Sequence, residues 1–405
     1  MWSVLRAPRF RLLFAAQVVA LVGTGLLTVA LGLLAYDLAG TDAGVVLGVA
    51  LAVKMVAYVV VAPVMSAVAQ RVPRRTLMVG ADVVRGAVAA ALPFVDQVWQ
   101  IYVLIAVLQS ASATFTPAFQ AVIPVVLPDD RDYTRALSLS RLAYDLESVL
   151  SPVLAAAALL VTSYHSLFVG TLVGFVASAL LVWRGLSTDR GALRIADTAG
   201  PRPPVTSGAR LMLTDPVLRG LLWLNGVVAA ATALVLVATV GIVRDTLGGG
   251  ETAVALALAC FGLGSMVVAL TLPRVLDRVE SVRPVVLAGA VAASLGLALT
   301  AIGVAVGGGW VVLVIGWTVL GAATSAISTP AGRLLRDRTA EADRPLVFAA
   351  QFSLSHACFL VTYPLTGVLA ATPVVAVATA ALLATLSAAV AARTWPRTMA
   401  EPVAV

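Results

Sequence analysis

The feature that most constrains this chain is a recurrence: apolar runs of membrane-spanning length return from one end to the other, with short polar breaks between them. Crossing roughly 30 Å of hydrocarbon takes about 20 predominantly apolar residues in a helix. Twelve runs reach that length, at 11–36, 44–69, 77–95, 98–118, 137–161, 165–184, 217–243, 252–272, 285–306, 310–330, 346–370 and 373–393. Lipid offers the backbone no hydrogen bonds, so each run must satisfy its own groups as a helix; a barrel would show ten-residue alternation instead. Composition agrees. Of 405 residues, 60% are hydrophobic and 12% charged, whereas a soluble domain has roughly 45–50% apolar and about 25% charged residues. The sequence therefore predicts an all-α membrane protein with twelve transmembrane helices.

Arg6, Arg9 and Arg11 precede the first run. That run is longer than the apolar core of a signal peptide, so it reads as a retained span. With the N-terminus inside, cytoplasmic segments collect 23 of the 27 basic residues and the opposite side holds Arg244 alone. Positive charge is retained on the cytoplasmic side, which puts both termini there, in a multi-pass protein of the cell membrane. The basic character thus reports topology and calls for no nucleic-acid partner. Cys260 and Cys358 fall inside spans and give no disulfide or metal signal.

One long polar loop, 185–215, separates a 1–184 half from a 216–405 half. Its Pro, Gly and Arg content reads as a cytoplasmic linker with a short surface helix near 206–213. The halves share features in order. "PRFRLL" at 8–13 matches "PVLRGL" at 216–221, and "TPA" recurs at 116–118 and 329–331. Pro117 and Pro152 are 35 residues apart, Pro330 and Pro364 34. Arg71 after span two corresponds to Arg278 after span eight. Duplicated parallel six-span halves imply a transporter with its site near the midplane.

The stretches "FTPAFQAVIPVVLP" (115–128), "YTRALSLSRLAYDLESVLSPVLAA" (133–156) and "QRVPRR" (70–75) resemble major facilitator superfamily permeases, over essentially the full length of the chain. The resemblance is to the twelve-span efflux branch of macrolide pumps, enterobactin-type siderophore exporters and nickel-resistance permeases. It implies two pseudo-symmetric six-helix bundles working by alternating access. The family signature Gly-x-x-x-Asp-Arg-x-Gly-Arg-Arg is matched here by Arg71, Arg74 and Arg75, with Ser66, Gln70 and Pro73 replacing its Gly, Asp and Gly. The second copy keeps Asp277 and Arg278. These five residues are the inner-gate set that the resemblance implies. The antiporter signature Gly-Pro-x-x-Gly-Gly stands as "SPVLAA" and retains only Pro152.

Six charges lie where hydrocarbon should forbid them: Lys54, Asp82, Arg85, Arg141, Asp145 and Glu147. Such residues by default face a bundle interior or a wet cavity. Asp82 and Arg85 are i,i+3 and Arg141 and Asp145 i,i+4, so each pair can neutralise itself on its own helix as a structural ion pair. Lys54 and Glu147 are left over. Lys54 is the only lysine in the chain and lies ten residues past Gly44, about 15 Å along a helix and so near the midplane. Glu147 shares a polar stripe with Ser140, Tyr144 and Ser151. Two readings stay open for Lys54, a functional site or a structural pair with Glu147 or another acid.

The sequence thus nominates Glu147, Asp145 and Lys54 for proton coupling. Lys54 would hold a nearby carboxylate ionised and release it when the helices separate. For the substrate cavity it nominates Lys54, Tyr144, His356, Gln109, Phe115, Asn225 and Gln351. By the geometry of the resembled family, His356 on span eleven would meet Lys54 at mid-depth; a histidine bonded to a backbone carbonyl is the other reading. Gln17, Tyr58, Phe119, Trp223 and Trp317 are further polar or aromatic groups within spans. No Walker A sequence is present, so ATP is not expected to drive transport. The expectation is a monomeric secondary transporter, no enzyme, without cofactor or metal, whose partners are a small-molecule substrate, protons and the lipid bilayer. It would exchange protons for an organic solute, a drug-like amphiphile or a siderophore-like metabolite. Nickel or cobalt efflux, a lipid translocase and a non-transporting receptor are the alternatives.

Overall fold

The structure, a computed structural model, describes residues 2–61, 72–127, 129–186, 206–276, 278–279, 281–340 and 343–396. Helix α1 spans Pro8–Ala39, with proline at its first turn, where the missing N–H is one the helix leaves unpaired anyway. It ends at Gly40, whose φ of 54° an L side chain resists. After a single 3₁₀ turn, α2 runs Ala43–Val56 and continues as a π-helical turn, Ala57–Val61. Then come α3 (Arg74–Ala91), α4 (Val98–Val126), α5 (Asp130–Leu159) and α6 (His165–Gly185).

Beyond the linker, α7 is a short helix, Thr206–Thr214. It is followed by α8 (Pro216–Gly241), α9 (Glu251–Leu276), α10 (Arg283–Ala305) and α11 (Gly309–Ser328). The chain closes with short α12 (Ala331–Asp337), α13 (Arg344–Leu369) and α14 (Pro373–Thr394). Among the described residues, ten stretches are long and apolar enough to cross a membrane, one of which, Pro8–Val60, holds both α1 and α2. Helix α5 has the length, 30 residues, but its charges keep its hydropathy low. Counting α2 with its π-helical turn, the described residues hold twelve long helices.

Two helices outrun the apolar segments that mark them. Helix α4 continues past residue 118 to Val126, and α5 begins at Asp130, ahead of the run that starts at 137. Hydropathy reads the hydrocarbon boundary; the helix stops only where its backbone finds another partner.

The chain forms two compact units, Met1–Ala199 and Gly200–Val405. Within the first, α1 packs against α6, α5 and α2; α3 packs against α4 and α6; and α2 packs against α4. The second unit repeats the pattern: α8 against α14 and α13, α10 against α11 and α14, and α9 against α11. Small residues bring the backbones close, as expected where lipid supplies no hydrophobic drive between helices. A Cβ on Gly321 would stand 1.8 Å from the Phe261 carbonyl, and one on Gly264 2.0 Å from that of Thr318. Helices α9 and α11 therefore touch backbone to backbone. Short α7 docks through Met212 onto Leu218, Leu221, Leu335 and Val347.

Candidate functional site

The first unit holds two separate groups of charge within its spans. On α3, Arg85 pairs with Asp82 one turn earlier, and Ser178 of α6 donates to the other carboxylate oxygen at 2.7 Å. The guanidinium lies 4.5 Å from the ring centroids of both Phe115 and Phe175. Asp82 is 1% exposed and Arg85 5%, and of their polar atoms Arg85 Nε alone is buried without a partner among the described residues. Phe115, nominated for a cavity wall, is buried under Arg85 and stacks on Phe119. Its ring belongs to the ion-pair cluster.

The second group is built around Lys54 and Glu147. Lys54 is half-buried at the end of α2, with its ammonium 5.8 Å from the Tyr58 ring centroid. The π-helical turn begins three residues later, at Ala57. Such turns insert one residue into a helix and re-aim the side chains around them. Glu147 lies within coulombic range of Lys54, yet no described carboxylate is in direct salt-bridge contact with that lysine. Glu147 Oε1 reaches α1 at Gly25, beside Ser151. Beside it the buried hydroxyl of Ser151 has no partner among the described residues. An unsatisfied buried polar atom costs about 1–3 kcal/mol; Gln17 Oε1 on α1 and the Ser140 hydroxyl on α5 are likewise buried without a described partner. The side chains of Arg141, Tyr144 and Asp145, nominated beside Glu147, lie outside the described residues. Gln109 on α4 is buried.

In the second unit, His356 Nδ1 donates to the Phe352 carbonyl at 2.6 Å, and its ring lies tilted against that of Phe352. A carbonyl only accepts, so a proton is on Nδ1. Asn225 Nδ2 on α8 and Gln351 Oε1 on α13 are buried without a partner among the described residues. Trp317 is packing: fully buried, it donates to Thr239 Oγ1 at 2.7 Å. Trp223 is exposed on the outside of α8.

Of the inner-gate residues, Arg71 and Asp277 lie outside the described residues. Arg74 is buried at the start of α3, Arg75 stacks 4.9 Å from the Trp183 ring centroid, and Arg278 is exposed. A contact that the sequence reading missed lies in the second unit. Asp215 caps α8 by accepting from the N–H groups of Val217 and Leu218. Its other oxygen accepts from Arg338 Nε and Nη2 at 3.2 and 2.8 Å. The signal was legible, since Asp before Pro at a helix start is a strong cap. Among the described residues, no three His, Cys, Asp or Glu side chains come together as metal ligands.

The sequence matches the Major Facilitator Superfamily profile in two overlapping stretches, residues 13–243 and 221–404. The chain belongs to the major facilitator superfamily. It is thus a multi-pass membrane transporter. Solved members share the fold. The crystal structure of nucleoside transporter NupG covers 95% of this chain and 100% of its own, with a TM-score of 0.74 at 14% identity. A bacterial homologue of the human lysosomal transporter Spinster, inward-facing and unoccupied, covers 97% and 99% with a TM-score of 0.71 at 11% identity.

Sequence relatives align over shorter stretches. Macrolide efflux protein A of Streptococcus pyogenes is 22% identical over 179 residues, 43% of this chain and 44% of its own. The uncharacterised MFS-type transporter YfiS of Bacillus subtilis is 26% identical over 116 residues, 29% and 28% of the two chains. The chain spans less than half the length of either relative.

Proposed function

We propose that this superfamily member is a proton-coupled exporter of a small organic solute, with Glu147 as the proton site and Lys54 as its electrostatic partner. One observation carries the reading: Glu147 stands within coulombic range of the chain's single lysine, both on membrane-spanning helices, with the buried and unsatisfied Ser151 hydroxyl beside the carboxylate. Two opposite charges 4 Å apart interact by about 4 kcal/mol at an effective dielectric near 20, and less as they part. Protonating Glu147 removes that attraction. The α2–α5 spacing that suits the ionised pair then no longer suits the neutral one, so proton binding biases the conformation of the unit. A cationic or hydrogen-donating group of the cargo would compete with the proton for the same carboxylate. Competition of this kind makes exchange obligatory and supports antiport by alternating access.

Export is the direction that the macrolide efflux protein suggests, and a drug-like amphiphile or siderophore-like metabolite is the matching cargo class. A monomer in the cell membrane with both termini cytoplasmic, needing no cofactor, completes the proposal. The test is accumulation of ethidium in a pump-deficient bacterium expressing the chain. Wild type should lower accumulation, and both a protonophore and Glu147→Gln should abolish that effect. Well-folded wild type that leaves ethidium accumulation unchanged would remove the drug-export reading.

A further inference from the structure

We propose that Gly25 is a positioning residue for the Glu147 carboxylate, an inference that rests on the proton-coupling reading above. A Cβ on Gly25 would stand 2.0 Å from Ser151 Cβ, 2.1 Å from Ser151 Oγ and 3.2 Å from Glu147 Oε1. Glu147 and Ser151 are i,i+4 on α5 and share one face. The missing side chain of Gly25 is thus a notch in α1, bounded by the proton site and by a serine that is 1% exposed with an unsatisfied hydroxyl. Ser151 Cβ is one bond from the backbone and cannot rotate away. Any side chain at 25 must therefore push α1 and α5 apart.

That separation bears on coupling because of where α1 sits. Lys54 is on α2, and α1 packs against both α2 and α5. The α1–α5 contact at Gly25 is therefore one determinant of the spacing from ammonium to carboxylate. The notch also has no room for a methyl group, so no cargo group enters between Gly25 and the carboxylate there.

The second half of the chain serves as an internal comparison. The offset of 208 residues that relates Pro8 to Pro216 places Ala233 at the position of Gly25. The offset of 212 that relates Pro152 to Pro364 places Phe359 at Glu147 and Tyr363 at Ser151. The half without the carboxylate carries a Cβ where the half with it does not. Glycine is among the least favourable residues in a helix interior, so the notch is held at a cost to α1.

The experiment uses the purified full chain in proteoliposomes, with ethidium as probe and two readouts: counterflow at equal pH, and flux driven by a pH gradient. Gly25→Ala should lose about tenfold or more of the gradient-driven rate while counterflow stays within about twofold, the range that a local overpacking strain allows. Gly25→Ala/Ser151→Gly should restore most of the gradient-driven rate. Ser151→Thr, which fills the notch from the α5 side by one methyl group, should reproduce the loss in a milder form and stands in if Gly25→Ala does not fold. The inference is overturned if the folded variants keep the wild-type response to the gradient, or if counterflow falls as far as gradient-driven flux and the double variant restores neither. If wild type itself ignores the pH gradient, the proton reading falls and this inference falls with it. If wild type responds and Gly25→Ala responds equally, only the inference falls.

Discussion

Asp82 and Arg85 show how charge survives inside a span: each oxygen of the carboxylate has a donor, and the guanidinium lies between two rings. Removing one member leaves the other buried and unpaired, which costs about 3–5 kcal/mol, whereas replacing both by groups of similar volume is far milder. Asp82→Ala should therefore lower the melting temperature sharply, and Asp82→Leu/Arg85→Met should recover most of it, as measured by fluorescence-detected thermal unfolding in detergent. The Lys54–Glu147 pair is of another kind. It makes no direct salt bridge among the described residues, and the Ser151 hydroxyl beside Glu147 is buried without a described partner. Lys54→Gln should leave the fold intact yet reduce gradient-driven flux by about tenfold, a change of ~1.4 kcal/mol in the coupled step. Lys54→Arg keeps the charge and should retain part of that flux. Both nominated sets could be read in the sequence because charge inside an apolar run is conspicuous. Gly25 could not, since nothing in a glycine says what lies opposite it. Nor could the burial of Phe115 under Arg85, which depends on how α3 and α4 pack.

Among the helices, close packing rests on particular small residues, and the consequences differ by site. Gly321→Ala would force a methyl group onto the Phe261 carbonyl, and overpacking of this type typically costs ~1–3 kcal/mol. Gly80, in the middle of α3, has nothing within 4 Å of its absent Cβ. Gly80→Ala should instead be neutral or stabilising by up to about 1 kcal/mol, since glycine weakens a helix interior. Thermal unfolding of the two variants side by side tests the α9–α11 contact. At the start of α8, Asp215→Ala removes a cap and an Arg338 ion pair together and should cost about 1–2 kcal/mol; Asp215→Asn, which still caps, should cost less. Helix existence was legible at this scale because the apolar runs are long. The ends of α4 and α5 were not, because hydrogen bonding beyond the hydrocarbon leaves no trace in hydropathy; nor was the π-helical turn after Lys54, because hydropathy does not distinguish one helical hydrogen-bond register from another.

For the molecule as a whole, the repeat seen in four short sequence matches reappears as a repeated set of helix neighbours in the two units. That pattern was readable because prolines and arginines mark equivalent places at nearly constant spacing. Orientation rests on arginine placement alone, and it makes a prediction. In a chain with Cys260 and Cys358 replaced by serine, Ser163→Cys should react with a membrane-impermeant maleimide added to intact cells, and Ala340→Cys, also exposed, should react only after lysis. The reverse pattern would invert the topology. The central claim is that a proton bound at Glu147 is exchanged for cargo, and the most direct measurement is of the proton itself. Proteoliposomes containing the purified chain and a trapped pH-sensitive dye are given an ethidium gradient. The account predicts proton movement opposite to ethidium in wild type and none in Glu147→Gln. Ethidium flux with no accompanying proton movement in wild type would contradict it.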